Sequence, residues 1–160
     1  MDEILDSEFP INTPVTDTKM SSLGLACSLN DKTEQHKTMN LRLLEAINRF
    51  GPDFNHRDRF GRTPLHHAAK NGNKTAIKFL LEEGKGMIDV DAQSIGGETP
   101  LMKAADSGSM EICMWLIQAS CNPFMKDSMG RSAEDHARVS FPDGQIHVMI
   151  GDFCKDYLAN

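Results

Sequence analysis

From residue 38 onward, apolar residues come in short runs separated by breaks containing Gly, Asn and Asp. Leu41-Arg42-Leu43-Leu44-Glu45-Ala46-Ile47 predicts one helix, and further apolar runs lie at Leu65–Ala69, Ala76–Leu81, Leu101–Ala105 and Ile112–Ile117. Ile77, Leu80 and Leu81 fall on one helical stripe, which Gly84 stops. Thr63 and Thr99 stand where a hydroxyl caps a helix N-terminus. Pro64 and Pro100 follow at the first helical position, where a missing N–H costs nothing. Gly72 and Gly108 sit where a left-handed residue ends a short helix. Beyond the break at Phe141-Pro142-Asp143-Gly144, the residues Ile146, Val148, Met149, Ile150 and Phe153 predict a closing helix. The pattern is that of an all-α chain built from paired short helices joined by hairpin-like loops.

The pairs repeat. Gly61-Arg62-Thr63-Pro64-Leu65-His66-His67-Ala68-Ala69 returns 36 positions later as Gly97-Glu98-Thr99-Pro100-Leu101-Met102-Lys103-Ala104-Ala105. A weaker copy, Gly130-Arg131-Ser132-Ala133-Glu134-Asp135-His136-Ala137-Arg138, follows after another 33. Asn71-Gly72 is matched by Ser107-Gly108, and the second helices align in the same step. The three-residue surplus of the first interval falls at Lys85-Gly86-Met87 and should enlarge a loop while leaving the helices in register.

With its period near 33 and its Thr-Pro-Leu-His-x-Ala signature, this unit resembles the ankyrin repeat. The resemblance is strong over residues 61–117 and fair over 51–60 and 118–138. It implies a solenoid of stacked helix–turn–helix units. Gly51-Pro52-Asp53-Phe54-Asn55 is similar to the family's inter-repeat loop, so residues 38–58 read as an N-terminal half-repeat cap. Repeats are expected over 59–93 and 94–126, with a degenerate capping repeat over 127–160. Such an array is about the minimum for stability.

Residues 1–37 read differently. Pro10 and Pro14 interrupt any helix, and no apolar period is sustained, so an acidic, flexible tail is expected. Seven acids (Asp2, Glu3, Asp6, Glu8, Asp17, Asp31, Glu34) against Lys19, Lys32 and Lys37 give it a net charge of −4 out of −6 for the 160-residue chain. An acidic chain is a poor counterion for phosphate backbones, so no nucleic-acid partner is expected. No run is long and apolar enough to suggest membrane insertion, and the acidic start lacks the form of a secretory signal. The cytoplasm is the default compartment, with the nucleus also open.

Chemistry is sparse. Cys27, Cys113, Cys121 and Cys154 have no metal or redox spacing and read as reduced thiols, Cys113 as a small core residue. His56, His66 and His67 lie close together, but no cysteine or acid completes a tetrahedral set. The resemblance instead implies that His66 hydrogen-bonds a neighbouring loop. Trp115 aligns with Phe79 and reads as core. There is no phosphate-binding glycine loop, no His-Glu-x-x-His and no Gly-x-Ser-x-Gly. Neither catalysis, a cofactor nor a small-molecule substrate is expected.

What remains is binding. The family's variable surface, its hairpin tips and the exposed flank of each first helix, maps here onto three sets of residues. Arg57, Arg59, Phe60, Arg62, Lys70 and Asn71 come from the first full repeat. Gln93, Ile95, Glu98, Asp106 and Ser107 come from the second, and Lys126, Ser128, Met129 and Arg131 from the third. The basic cluster and the apolar Phe60, Ile95 and Met129 suggest a protein partner with an acidic, partly apolar surface lying across the concave face. A blander reading stays open, in which Phe60 packs on the preceding half-repeat and the arginines pair with Asp53 and Asp58. Two other roles also stay open: a structural subunit whose tail threads along neighbouring chains, and an acidic tail that docks on its own basic tips.

Overall fold

The computed structural model describes residues 12–29 and 31–159, with side chains through Lys155. Among these residues it contains eight helices and no strand: α1 (Ser22–Cys27), α2 (Glu34–Asn48), α3 (Pro64–Lys70), α4 (Lys74–Glu83), α5 (Pro100–Asp106), α6 (Met110–Gln118), α7 (Ala133–Ser140) and α8 (Gln145–Ala159). The first helices α1, α3, α5 and α7 pack side by side as one layer, and α2 lies against α4. None of the described helices is long and apolar enough to cross a membrane.

Small residues make the layer possible. Ala68 and Ala69 of α3, and Ala104 and Ala105 of α5, are buried between neighbouring helices, where side chains no larger than a methyl let backbones come close, while Leu65 and Leu101 fill the core beside them. Second helices supply the bulk of the core through Leu44 and Ile47, Ile77 and Leu80, then Cys113 and Leu116, each pair at equivalent positions. Trp115 is only half-buried, its ring lying 4.9 Å from the Lys78 ammonium, whereas Phe79 is buried. The last helix buries Ile146 and Ile150 and leaves Val148 exposed.

Three of the four first helices are capped by a hydroxyl. The hydroxyls of Ser21, Thr99 and Ser132 accept the N–H groups of Gly24, Met102 and Asp135 at 3.2–3.3 Å. At α3 the side chain three residues on completes the cap, as the Thr63 N–H donates to His66 Nδ1 at 3.1 Å. That places the ring proton on Nε2, which donates to Glu98 O of the next unit at 2.9 Å. His66 thus joins one helix pair to the following loop.

The flexible tail expected over residues 1–37 needs correction from Asn12 onward; residues 1–11 lie outside the described residues. Thr18 O accepts the Arg59 N–H at 2.8 Å, and α1 buries Leu23, Ala26 and Cys27 against α3. Residues 38–58 are therefore not a half-repeat, because α2 is the second helix of a complete pair. Leu23-x-x-Ala26-Cys27 stands in the register of Leu65-x-x-Ala68-Ala69, but Ser21-Ser22 replaces Thr-Pro. Ser21 precedes Thr63 by 42 positions while Leu44 precedes Ile77 by only 33, so extra residues separate α1 from α2 and break the period. This connection is tied down. Asp31 Oδ2 accepts the Thr75 N–H at 2.9 Å, and Asn73 donates to Leu29 O at 2.9 Å while its Oδ1 caps α4.

Two outcomes are expected. Truncating the fully buried Leu23 to Ala should lower unfolding free energy by about 2–5 kcal/mol in urea titrations. A tail residue would show no change. Burial holds the His66 ring down at about 4 from its ordinary 6.5, outweighing the Glu98 carbonyl that favours its charged form. The unfolded chain therefore takes up a proton between pH 6.5 and 4 that the native chain refuses. Stability present above pH 6.5 is lost across that window, by up to about 3 kcal/mol. His66→Gln should be less stable at pH 7 but show a shallower slope from pH 6.5 to 4 in pH-dependent denaturation.

Candidate functional site

The tips between helix pairs are built on one device, used twice. Asp58 Oδ1 accepts the N–H groups of Phe60 (2.8 Å) and Arg62 (2.9 Å), while Oδ2 accepts Arg62 Nε (2.9 Å) and His67 Nε2 (3.1 Å). Asp127 repeats the set with Met129, Arg131 and His136 at 2.9–3.0 Å. Both carboxylates are buried. Burial alone would favour their neutral form, but the backbone N–H and guanidinium of the following arginine outweigh it and hold both below the usual carboxylate range. His67 is lowered, first by burial and then by the Arg62 charge, against the pull of Asp58.

The middle tip inverts the charges. Ser94 stands in the Asp58 position and accepts the Glu98 N–H at 3.3 Å, Glu98 stands in for Arg62, and Lys103 for His67. Lys103 Nζ closes the loop on Glu98 Oε1 at 2.5 Å.

Successive tips are joined by backbone bonds: Arg59 N–H to Thr18 O, Ile95 N–H to Phe60 O and Ser128 N–H to Gly96 O, each 2.8–2.9 Å. A left-handed residue turns each tip. Gly97 (φ 75°) shows why, since a Cβ there would lie 2.8 Å from Ser128 N. Lys19 (φ 59°) takes the equivalent place in the first tip without being glycine.

This geometry divides the residues expected to bind a partner. Arg57 donates to Gln93 O at 2.6 Å and Gly61 O at 3.2 Å, and Gln93 donates to Gly97 O at 2.8 Å and Lys126 O at 3.2 Å, so both act as struts between units. Arg62 and Arg131 are held by buried carboxylates. Glu98 pairs with Lys103, and Asp106 lies 3.0 Å from His136 Nδ1. Asn71 and Ser107 donate to His67 O and Ala104 O at helix ends. Arg59, Phe60, Lys70, Ile95, Lys126, Ser128 and Met129 project into solvent.

The pairing of arginine with Asp58 that the sequence left open is thus made by Arg62. The basic cluster is correspondingly weaker than its residue count suggests. Phe60 has two guanidinium groups over its ring, with Arg62 Cζ 4.5 Å and Arg59 Cζ 5.2 Å from the centroid. Val139, exposed one 33-residue step beyond Asp106, belongs to the same flank. It was missed because the motif degrades after Ser132, although the step itself was legible.

The three clustered histidines do not converge. His56 lies 2.9 Å from Lys19 O, His66 binds Glu98 O and His67 binds Asp58. Among the described residues no group of three or more His, Cys, Asp or Glu could hold a metal ion. The thiols are chemically quiet: burial pushes Cys113 and Cys121 up to about 12.

Residues 23–127, more than half of the chain, match the family model for ankyrin repeats in three copies. Diacylglycerol kinase zeta of Rattus norvegicus is 35% identical over 94 residues, which cover 59% of this chain and 10% of the kinase. The E3 ubiquitin-protein ligase XBAT33 of Arabidopsis thaliana is 34% identical over 92 residues, 57% of this chain and 17% of its own length. Putative ankyrin repeat protein L271 of Acanthamoeba polyphaga mimivirus is 30% identical over 106 residues, 64% of this chain and 14% of that protein. This chain therefore spans less than a fifth of each, and the likeness speaks for the repeat array and not for the kinase or ligase in those names. The stacked helix pairs, the recurring tips and the family match agree: the chain belongs to the ankyrin-repeat family, whose repeats are general protein–protein interaction modules.

Proposed function

We propose that this chain is a non-catalytic adaptor or regulatory module that binds an acidic, partly apolar peptide or protein surface along its row of tips. The observation that carries the reading is the exposure of one large apolar side chain from each of three successive tips: Phe60 (44%), Ile95 (77%) and Met129 (74%). Nothing in the core needs them there. Aromatic and arginine side chains dominate interface energies, and full burial of each such apolar group is worth about 1.5–3 kcal/mol. Phe60, with the Arg59 and Arg62 guanidinium groups over its ring, is the anchor. Arg59 and Lys70, held by no ion pair among the described residues, supply charge for the partner's carboxylates. Lys126 and Ser128 extend the strip beside Met129.

Residues 12–29 and 31–37 are part of the array, which leaves residues 1–11 as the part of the expected tail that threading along neighbouring chains or docking on the tips would use.

The triple variant Phe60→Ser/Ile95→Ser/Met129→Ser should lose capture of its partner from native lysate by at least about tenfold. Its unfolding midpoint should barely move, because exposed positions change stability by roughly 0.5 kcal/mol each. Arg62→Glu serves as a contrast. It sets a second carboxylate beside buried Asp58 and should cost about 3 kcal/mol in denaturant titration. Full partner capture by the triple variant would eliminate the tip reading.

A further inference from the structure

Inside the array, one face of each second helix meets the preceding unit. In α4 that face carries Ala76, Phe79 and Glu83, and Glu83 Oε2 accepts the Asn48 side-chain amide of α2 at 2.8 Å. Ala76 and Phe79 are buried there, as is Ile112, which stands in the place of Ala76 one unit on. Counted back by 33 positions, the same face of α2 carries Leu43, Ala46 and Phe50, and all three are exposed. Leu25 of α1 is likewise exposed, whereas His67 at the same place in α3 is buried. Among the described residues no helix pair stacks on this side of α1 and α2. The terminal unit of a stacked array ordinarily turns a polar face to solvent. This one turns out leucine, methionine and phenylalanine.

Between α1 and α2 these side chains form a groove of about 470 Å³, lined in part by Leu25, Leu29, Leu43 and Phe50. Leu29 and Leu43 also line an adjoining cavity of about 440 Å³ that reaches Met39. Met39, Leu43, Ala46 and Phe50 follow at steps of four, three and four, which makes them one stripe along α2 and the turn that ends it. The stripe is about 16 Å long at 1.5 Å per residue. One of its edges is closed by the core, where Leu44 and Ile47 are buried. The open edge carries Arg42 and Arg49, both exposed and about two helical turns apart. Neither makes an ion pair among the described residues. Glu45, two positions past Leu43, falls on the far side of the helix.

We infer that this end of the array is a second docking site, distinct from the tips, and that it takes an acidic amphipathic helix of a partner protein. The helix lays its apolar stripe in the α1–α2 groove and sets two carboxylates, seven positions apart, against Arg42 and Arg49. Two observations select this occupant. The groove continues the contact that α4 already makes with α2, in which one helix lays an i, i+3, i+7 face on another, so a helix is the shape that fits. Charge decides its kind. A second copy seated antiparallel across a two-fold axis would bring the two basic edges together, which like charges oppose, whereas carboxylates on a partner complement them.

Two synthetic helical peptides of about 18 residues test this on the full-length protein. Both carry a leucine stripe, and their edge positions are Glu in one and Lys in the other. By fluorescence anisotropy the Glu peptide should bind at least about tenfold more tightly than the Lys peptide. Arg42→Glu/Arg49→Glu should invert that preference. Leu43→Ser/Phe50→Ser should abolish binding of both peptides with little change in unfolding midpoint, because these positions are exposed. Phe60→Ser/Ile95→Ser/Met129→Ser should bind the Glu peptide as the unaltered chain does. No binding, or equal binding of the two peptides, would overturn the proposal. So would sedimentation of the unaltered protein as a dimer that Leu43→Ser/Phe50→Ser dissociates, which would give the groove to a second copy. Binding lost in the tip variant but kept in Leu43→Ser/Phe50→Ser would also overturn it, by placing the peptide on the tips.

Discussion

A helix of six or seven residues has no independent existence in water, and α1, α3 and α5 are all of that length. They persist because each lies against its neighbours with alanines, or Ala26 and Cys27 in α1, at the close approach, and because their N-termini are capped, by a hydroxyl at α1 and α5 and through His66 at α3. Stacking is therefore the condition for the local structure as well as its result. This explains why the tips are so heavily bonded. A carboxylate with four donors, as at Asp58 and Asp127, fixes the turn inside its own unit, and the backbone bonds from tip to tip set the spacing from one unit to the next.

The repeat and its fold were legible wherever side-chain chemistry and period coincided. Thr63-Pro64-Leu65 and Thr99-Pro100-Leu101 carry cap, first-turn proline and core residue in consecutive positions, and no other element reads that way. The first unit was hidden for a specific reason. Leu23, Ala26 and Cys27 keep the packing logic, but Ser22 replaces the proline and a lengthened connection to α2 removes the common period. The core triplet alone marks this unit, whereas a fixed period fails for a unit whose insertion sits between its two helices.

The candidate surface was half legible. Sequence placed the exposed apolar groups at the tips, since such side chains have no role in the repeat core. It could not say which arginines were already engaged, because the partner of Arg62 is a carboxylate four residues away whose burial depends on the folded turn. The same spacing recurs at Asp127 and Arg131, so the pairing was present as a repeated Asp-x-x-x-Arg before it was recognisable as a contact. Polar residues of a repeat serve two masters, holding one unit to the next and facing solvent, and only geometry separates those duties.

The inverted middle tip has a further consequence. Along one register the array presents Arg62, then Glu98, then Arg131, a plus–minus–plus order built into three otherwise equivalent positions. A uniform row would let a bound chain slip by a whole unit and find the same environment again. Here the three equivalent positions hold ion pairs of opposite orientation, Arg62 on Asp58, Glu98 on Lys103 and Arg131 on Asp127, so the solenoid breaks its own translational symmetry.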